Sequence, residues 1–431
     1  MHANSDSEKP KLLSKKRGKP RVKITAHVSF GFLFLIYYRK KEEKMRLSIQ
    51  RQLAMIVFFL LVIMPLCAFG TDGQIKINTA PFVINKSGSY VLTNNLVVMD
   101  PDANAISIEV NDVTLDLNGH TIQGPNIGSG SGSGIHAMNR YSIKVWNGRV
   151  WGFQSHGIEL YSDSADPSYK GAGHIVEGVQ TANNGMVGIA IVGGNLSNCT
   201  VNNNGKNGIL AANSTLVNCT ANNNLHDGIV AYNSTLANCT ADNNSDGGID
   251  AYDSALTNCN ATGNPYGIGP FDCTLVNCTA NRNNLRGIGS LRSTLKNCTA
   301  NYNQQDGIFD YGESILANCT ANLNGGIGIY AQSNATLVNC TANGNGVGIR
   351  VTGSNVIECT ANGNSGDGIH AIVKCRIEGN TIRGNGSYGL YLEDTGNYAI
   401  RNVTGDNPSG NYVNPVGNYA PSAGDNGNYS F

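Results

Sequence analysis

GILAANSTLVNCTANNNLHD, residues 208–227, is the unit whose reading decides the fold. Ile209 and Ala211 alternate with their neighbours as in a short strand, Asn213-Ser214 reads as a turn, Leu216 begins a second strand, and the run Asn222-Asn223-Asn224 turns the chain again. No interval between these turns is long enough for a helix. The unit recurs: cysteines stand at 199, 219, 239, 259, 278, 298, 319, 340 and 359, and a Gly-Ile pair keeps the same beat from Gly188 to Gly368, with Gly389-Leu390 as its last copy. A fixed period of this size means stacked copies of one supersecondary unit. A leucine-rich repeat has a similar period but several leucines in register in each unit, whereas here a single Leu, Leu216 in this unit, and one Ile keep the beat. Coils of short strands, each about 4.8 Å above the last, fit better. The sequence therefore predicts an all-β, single-stranded parallel β-helix with about 20 residues per coil. Superposed Asn side chains can then bond to each other and to backbone along the axis, with Gly serving tight corners.

Working outward, residues 75–187 read as less regular coils of the same solenoid, with strands in AISIEV, DVTLDLNGHTI, YSIKVWNGRVWGF and GIELY, and with Gly134-Ile135 and Gly157-Ile158 restating the pair. The segments DVTLDLNGHTIQG and VWNGRVWGF, together with the repeated Gly-Ile and Asn-rich turn, resemble the right-handed parallel β-helix repeats of the pectin-lyase-like superfold, including its carbohydrate-binding and sugar-hydrolase type modules. The resemblance spans roughly residues 75–400, with regular repeats over 188–400, and implies a right-handed coil. One superfold hosts many activities. Familiar catalytic signatures are absent: Arg376-Ile377-Glu378 departs at its last residue from the Arg-Ile-Lys of polygalacturonases, and the Asp-Pro-His-Asp of alginate epimerases does not occur.

The chain has 431 residues and equal numbers of Lys+Arg and Asp+Glu, 30 each, but the balance is uneven. Residues 1–51 carry 14 basic and 4 acidic side chains, which leaves 16 against 26 in the rest. An acidic, Gly- and Asn-rich body without a basic stripe argues against a nucleic-acid partner. Residues 1–44 form a basic and apolar extension. Within 45–70, the apolar run Leu53 to Leu66 follows Arg46 and Arg51 and precedes small residues at Ala68 and Gly70, the pattern of a secretory signal; uncleaved, it would anchor the chain and give its one membrane contact. The expected location is outside the cytoplasm: secreted, periplasmic or cell-surface. Residues 401–431 read as a Gly/Asn/Tyr-rich tail.

Removal of the signal leaves 11 cysteines, an odd number. In parallel stacking, Cβ atoms of adjacent rungs lie about 4.8 Å apart, beyond the roughly 3.8 Å of a disulfide. The repeat cysteines are therefore expected to be reduced and buried as small hydrophobes. The resemblance implies the same, since related repeats usually carry an inward-facing Asn there.

With Ile inward, positions one and three residues later face outward. The third-place row reads Tyr232, Tyr252, Phe271, Leu291, Tyr311, an exposed aromatic strip on which sugar rings can lie, and Tyr232, Tyr252, Phe271 and Tyr311 are the candidate ligand-binding residues. The first-place row toward the C-terminus reads Tyr330, Arg350, His370, Tyr391, with Glu393 nearby. These are candidate catalytic residues of a polysaccharide lyase, which needs a carboxylate neutraliser, a base and an acid. Four places after Ile, Asp253 and Asp272 stand on adjacent rungs, suited to a hard cation such as Ca2+ or to a turn that bonds its own backbone; no other cofactor is expected. His136 and Glu159 form a similar outward pair. The sequence thus predicts an exported β-helix protein that interacts with a polysaccharide or surface glycan. The alternatives are a divergent polysaccharide lyase or glycoside hydrolase working on the outer face, and a structural adhesin or display rod.

Overall fold

The computed structural model describes residues 73–126, 128–161, 172–414, 418–421 and 427–430. The N-terminal extension and signal-like segment lie outside these residues. Every element among the described residues is a strand, and every strand pairing is parallel between successive coils: Ile209 pairs with Ile229, Ile229 with Ile249, and Leu216 with Leu236. The Gly-Ile strands build one 16-stranded sheet. The solenoid is all-β, as the repeat predicts, and right-handed, as the resemblance implies.

Most regular coils have three strands where the sequence suggested two, the third shrinking to a single bridge at Thr299, Thr320 and Thr341. In the unit that begins at Gly208 they are Ile209–Ala212, Thr215–Val217 and Thr220–Asn222. The overlooked corner is Asn218, a single residue in the left-handed region at φ 54°, just as Asn213 (50°) and Asn223 (56°) make the other two. Asn tolerates that conformation better than other non-glycine residues, so Asn rather than Gly makes these turns. The glycine of Gly-Ile serves a different need. A Cβ on Gly228 would come within 2.6 Å of Asn244 Nδ2 and 2.7 Å of Ala241 Cβ, so only Gly lets this corner pack against the interior Asn.

The core is a set of columns, Ile209, Leu216, Cys219 and Ala221 with their counterparts in each coil, all essentially without solvent contact. Beside them runs a buried Asn ladder. The N–H and Nδ2 of Asn204 both donate to Asn224 Oδ1, at 3.0 Å each, and those of Asn224 donate to Asn244 Oδ1 at 2.9 and 3.0 Å. Buried amides are tolerated here because every donor and acceptor is satisfied along the axis. All eleven cysteines among the described residues are free and buried. The Cys239 thiol donates to the carbonyls of Ala237 (3.5 Å) and Leu216 (3.7 Å). Burial pushes the Cys273 and Cys375 thiols up, which keeps them protonated.

Stacking continues beyond residue 400. Val403–Gly405 pairs with Thr381–Arg383, and Tyr429–Ser430 pairs in turn with Val403 and Thr404.

Candidate functional site

The Gly-Ile sheet presents three outward columns. One precedes the pair and reads Asp227, Gly247, Tyr266, Arg286, Asp306; one follows the Ile and reads Val230, Asp250, Gly269, Gly289, Phe309; the third is the aromatic row. Two successive glycines in the middle column leave a trough floored by backbone. Tyr266 and Arg286 wall one side, Phe271, Leu291 and Tyr311 the other, with Asp250 at one end and Phe309 beyond the last glycine. The part beside Asp227, Asp250 and Arg286 encloses about 310 Å3, and the part beside Tyr252, Phe271 and Tyr311 about 330 Å3. Both are at the lower end of the roughly 300–1,000 Å3 usual for small-ligand sites.

The strip candidates adjoin this trough. Tyr232, Tyr252 and Phe271 follow one another in register. The rings of Tyr232 and Tyr252 are 5.0 Å apart at 12°, an offset stack in which each covers part of its neighbour's face. The strip is therefore a shingled row of edges and partial faces rather than a flat platform, because a 4.8 Å rung is narrower than a ring is wide. Tyr252 and Phe271 are tilted 41° at 6.1 Å. Tyr311, one rung beyond Leu291, turns toward the trough. Its hydroxyl accepts from Arg286 Nη1 at 2.5 Å, and its ring packs on Phe309 at 4.7 Å. Arg286 itself lies over the Phe309 ring at 3.8 Å and pairs with Asp306 at 3.6 Å.

Sequence reasoning missed Asp227, Asp246, Asp250, Tyr266 and Arg286. Asp227 Oδ1 accepts the N–H of Gly247 at 2.8 Å. The Cβ that Gly247 lacks would lie 2.7 Å from Asp227 Oδ1 and 3.3 Å from Asp250 Oδ1, so the two oxygens are no farther apart than the sum of these distances, 6.0 Å. Burial, with the charges of Asp227 and Asp246, raises the Asp250 carboxyl to about 7. Burial also raises Asp227.

This predicts a pH signature. A carboxyl whose folded value lies above its unfolded value of about 3.8 stabilises the fold fully only at low pH, and that contribution is lost as pH rises toward 7. Asp250→Asn should gain melting temperature relative to the wild type between pH 4 and pH 7 and hold a constant advantage above. A difference that does not change over that interval would contradict the assignment.

The candidate catalytic row is brought together in register: Tyr330 pairs with Arg350, Arg350 with His370, and His370 with Tyr391. His370 is held from both sides, Nε2 by Glu393 at 2.6 Å and Nδ1 by Asp367 at 3.2 Å, and the second partner was not read from sequence. With both nitrogens facing carboxylates, no imidazole lone pair is turned toward a substrate in this arrangement. Burial works to raise Asp367, but its hydrogen bonds from His370 and the Tyr388 N–H outweigh it and hold the carboxyl below its ordinary value.

Asp253 and Asp272 occupy left-handed turn positions, at φ 50° and 55°. Asp272 is engaged by Arg292, whose Nε and Nη2 donate to its two oxygens at 2.8 and 2.7 Å. Among the described residues no three His, Cys, Asp or Glu side chains are grouped to hold a metal ion. The outward pair His136 and Glu159 is in contact, with 2.8 Å between Nδ1 and Oε2.

A stacked coil with an outward trough defines a β-solenoid with a surface site, and comparison with known proteins places it further. The family described as "Right handed beta helix region" matches residues 133–272 and 271–376, and the chain belongs to that family. A search of curated proteins finds no match. Among solved structures, the mannuronan C-5 epimerase AlgE4 A-module of Azotobacter vinelandii is 13% identical over 77% of this chain and 90% of that chain, at a TM-score of 0.35. The periplasmic alginate epimerase AlgG is 14% identical over 73% and 77%, at 0.28. The catalytic domain of a GH87 alpha-1,3-glucanase, in complex with tetrasaccharides, is 13% identical over 75% and 63%, at 0.35. At these values none of them bears on what this chain binds.

Proposed function

We propose that the protein is an exported carbohydrate-binding β-helix whose ligand runs along the Gly-Ile sheet, through the Gly269-Gly289 trough and against Tyr252, Phe271 and Tyr311. The observation that carries this reading is the trough itself: a backbone floor two rungs long between aromatic walls, with carboxylates and a tyrosine hydroxyl at hand for sugar hydroxyls. The sugar's apolar face packs against the rings. The signal-like segment within residues 45–70 supports export. In a glycan-array screen, Tyr252→Ala and Phe271→Ala should each weaken binding of any retained glycan by about 1 kcal/mol or more, roughly fivefold, as buried ring area is lost. Unchanged binding in both variants would move the ligand off this face, and no retained glycan at all would leave the solenoid as a display rod.

A second reading, glycoside hydrolysis, is favoured by the pairing of Asp227 with Asp250. Their Oδ1 atoms lie no more than 6.0 Å apart, a limit that admits the roughly 5–5.5 Å of a retaining pair. Asp250, held protonated toward neutrality, would donate to the leaving oxygen while Asp227 attacks the anomeric carbon. Release of reducing ends by the wild type, abolished in Asp250→Asn with binding retained, supports hydrolysis; binding without reducing ends restricts the site to recognition.

A further inference from the structure

A second groove lies on another face, in the early coils. Strands Leu96–Val97, Thr121–Gln123, Ile143–Trp151 and His174–Ala182 stack there in parallel, so that Thr121, Arg149 and Gln180 form one outward column and Gln123, Trp151 and Ala182 the next. The groove they line encloses about 470 Å3 and contains no carboxylate. In the regular coils of the same sheet these columns read Thr and Asn, as at Thr200 and Asn202 or Thr220 and Asn222, and the Asn serves the fold: Asn202 Oδ1 accepts the N–H of Asn222. Arg149 and Trp151 serve no such purpose. The Arg149 guanidinium is exposed and has neither an ion pair nor a hydrogen bond among the described residues, although acidic side chains outnumber basic ones 26 to 16 over residues 52–431. Beside it, Trp151 is only half-buried because Ala182 on the next rung is too small to cover it.

We propose that this groove binds a carboxylated sugar unit, a hexuronate of an acidic polysaccharide. The indole of Trp151 takes the apolar face of the ring, the amides of Gln123 and Gln180 reach its hydroxyls, and Arg149 pairs with the carboxylate. A planar guanidinium matches a carboxylate with two parallel hydrogen bonds, which gives the site its preference over neutral sugars. The groove belongs to a different sheet from the Gly269-Gly289 trough, so the two sites stand or fall separately.

Trp146 and Trp151 are the chain's two tryptophans. Trp146→Phe in the full chain therefore leaves Trp151 as the sole indole reporter. Its fluorescence should shift saturably with polygalacturonate and hardly at all with neutral dextran. Arg149→Gln should weaken the polygalacturonate response at least tenfold, added salt should weaken it too, and Phe271→Ala should leave it unchanged. If Trp146→Phe does not fold, the same titration of the wild type against Arg149→Gln decides the matter, since the exposed Arg149 has no partner to lose. No shift with polygalacturonate, an unchanged titration in Arg149→Gln, or an equal response to dextran sulfate would overturn the carboxylate assignment.

Discussion

Replacing Asn244 by Leu lowers folding stability by roughly 2–5 kcal/mol, because two buried polar groups, the N–H of Asn224 and the carbonyl of Ala221, lose their partner at about 1–3 kcal/mol each and Asn224 Nδ2 keeps only its 3.3 Å bond to Val201 O, partly offset by the added apolar burial. Asn244 Oδ1 is the acceptor for both the N–H and Nδ2 of Asn224, and its own Nδ2 donates to Ala221 O at 3.0 Å. A leucine can satisfy none of them, and water does not reach a residue that is 2% exposed. Of residue 244 itself, only the N–H, which donates to Asn264 Oδ1, keeps its bond. Each coil of a solenoid contacts only its neighbours, so one broken rung weakens both flanking interfaces. Denaturant unfolding measures the loss. Leu225→Ala is the control, since Leu225 is 66% exposed and its truncation should change stability by about 0.5 kcal/mol or less. A loss below about 1 kcal/mol for Asn244→Leu would mean that the ladder is dispensable.

Gly289→Val should weaken ligand binding in the trough at least tenfold while leaving the melting temperature nearly unchanged. A Cβ at residue 289 would meet only Tyr311 Cε2, at 3.9 Å, an ordinary contact, and Gly289 is not among the left-handed glycines. Valine suits an outward strand position, so the coil accepts it. Its methyls nevertheless rise into the space that the glycine left open between Arg286 and Tyr311. Because the floor is only two rungs long, filling one removes half of it, and the expected loss is at least tenfold, about 1.4 kcal/mol or more. Affinity electrophoresis on the glycan retained by the array reads the effect. Unchanged binding in Gly289→Val, combined with a loss in Tyr252→Ala, would put the ligand on the strip alone.

The beat of Gly-Ile and Cys was enough to place every regular coil, because residues one period apart must superpose, and superposition is what a repeat encodes. The same logic put Tyr232, Tyr252 and Phe271 in one row and Tyr330, Arg350, His370 and Tyr391 in another, as the pairings show. It stopped at a corner hidden in the asparagine-rich background and at features that do not repeat. Asn218 was passed over as a corner because one left-handed residue leaves little trace among so many asparagines. The substitution of Asp250, Gly269 and Gly289 into a column that elsewhere reads Leu210, Val230 and Phe309 was visible in the aligned units, and is the signal that would have located the trough.

What the sequence determined by itself is therefore the solenoid: its period, its core columns and the outward rows, all set by short-range alternation repeated at a constant interval. Only the tertiary structure decided how those rows are used. Rings on adjacent rungs had to overlap because the hydrogen-bond spacing is narrower than a ring, Arg292 turned to Asp272, and Asp367 reached His370 from a different column. The trough exists where side chains are missing, between walls contributed by columns on either side. An absence at two positions becomes a cavity only when neighbouring coils and columns surround it, and that is a property of packing in space rather than of order along the chain.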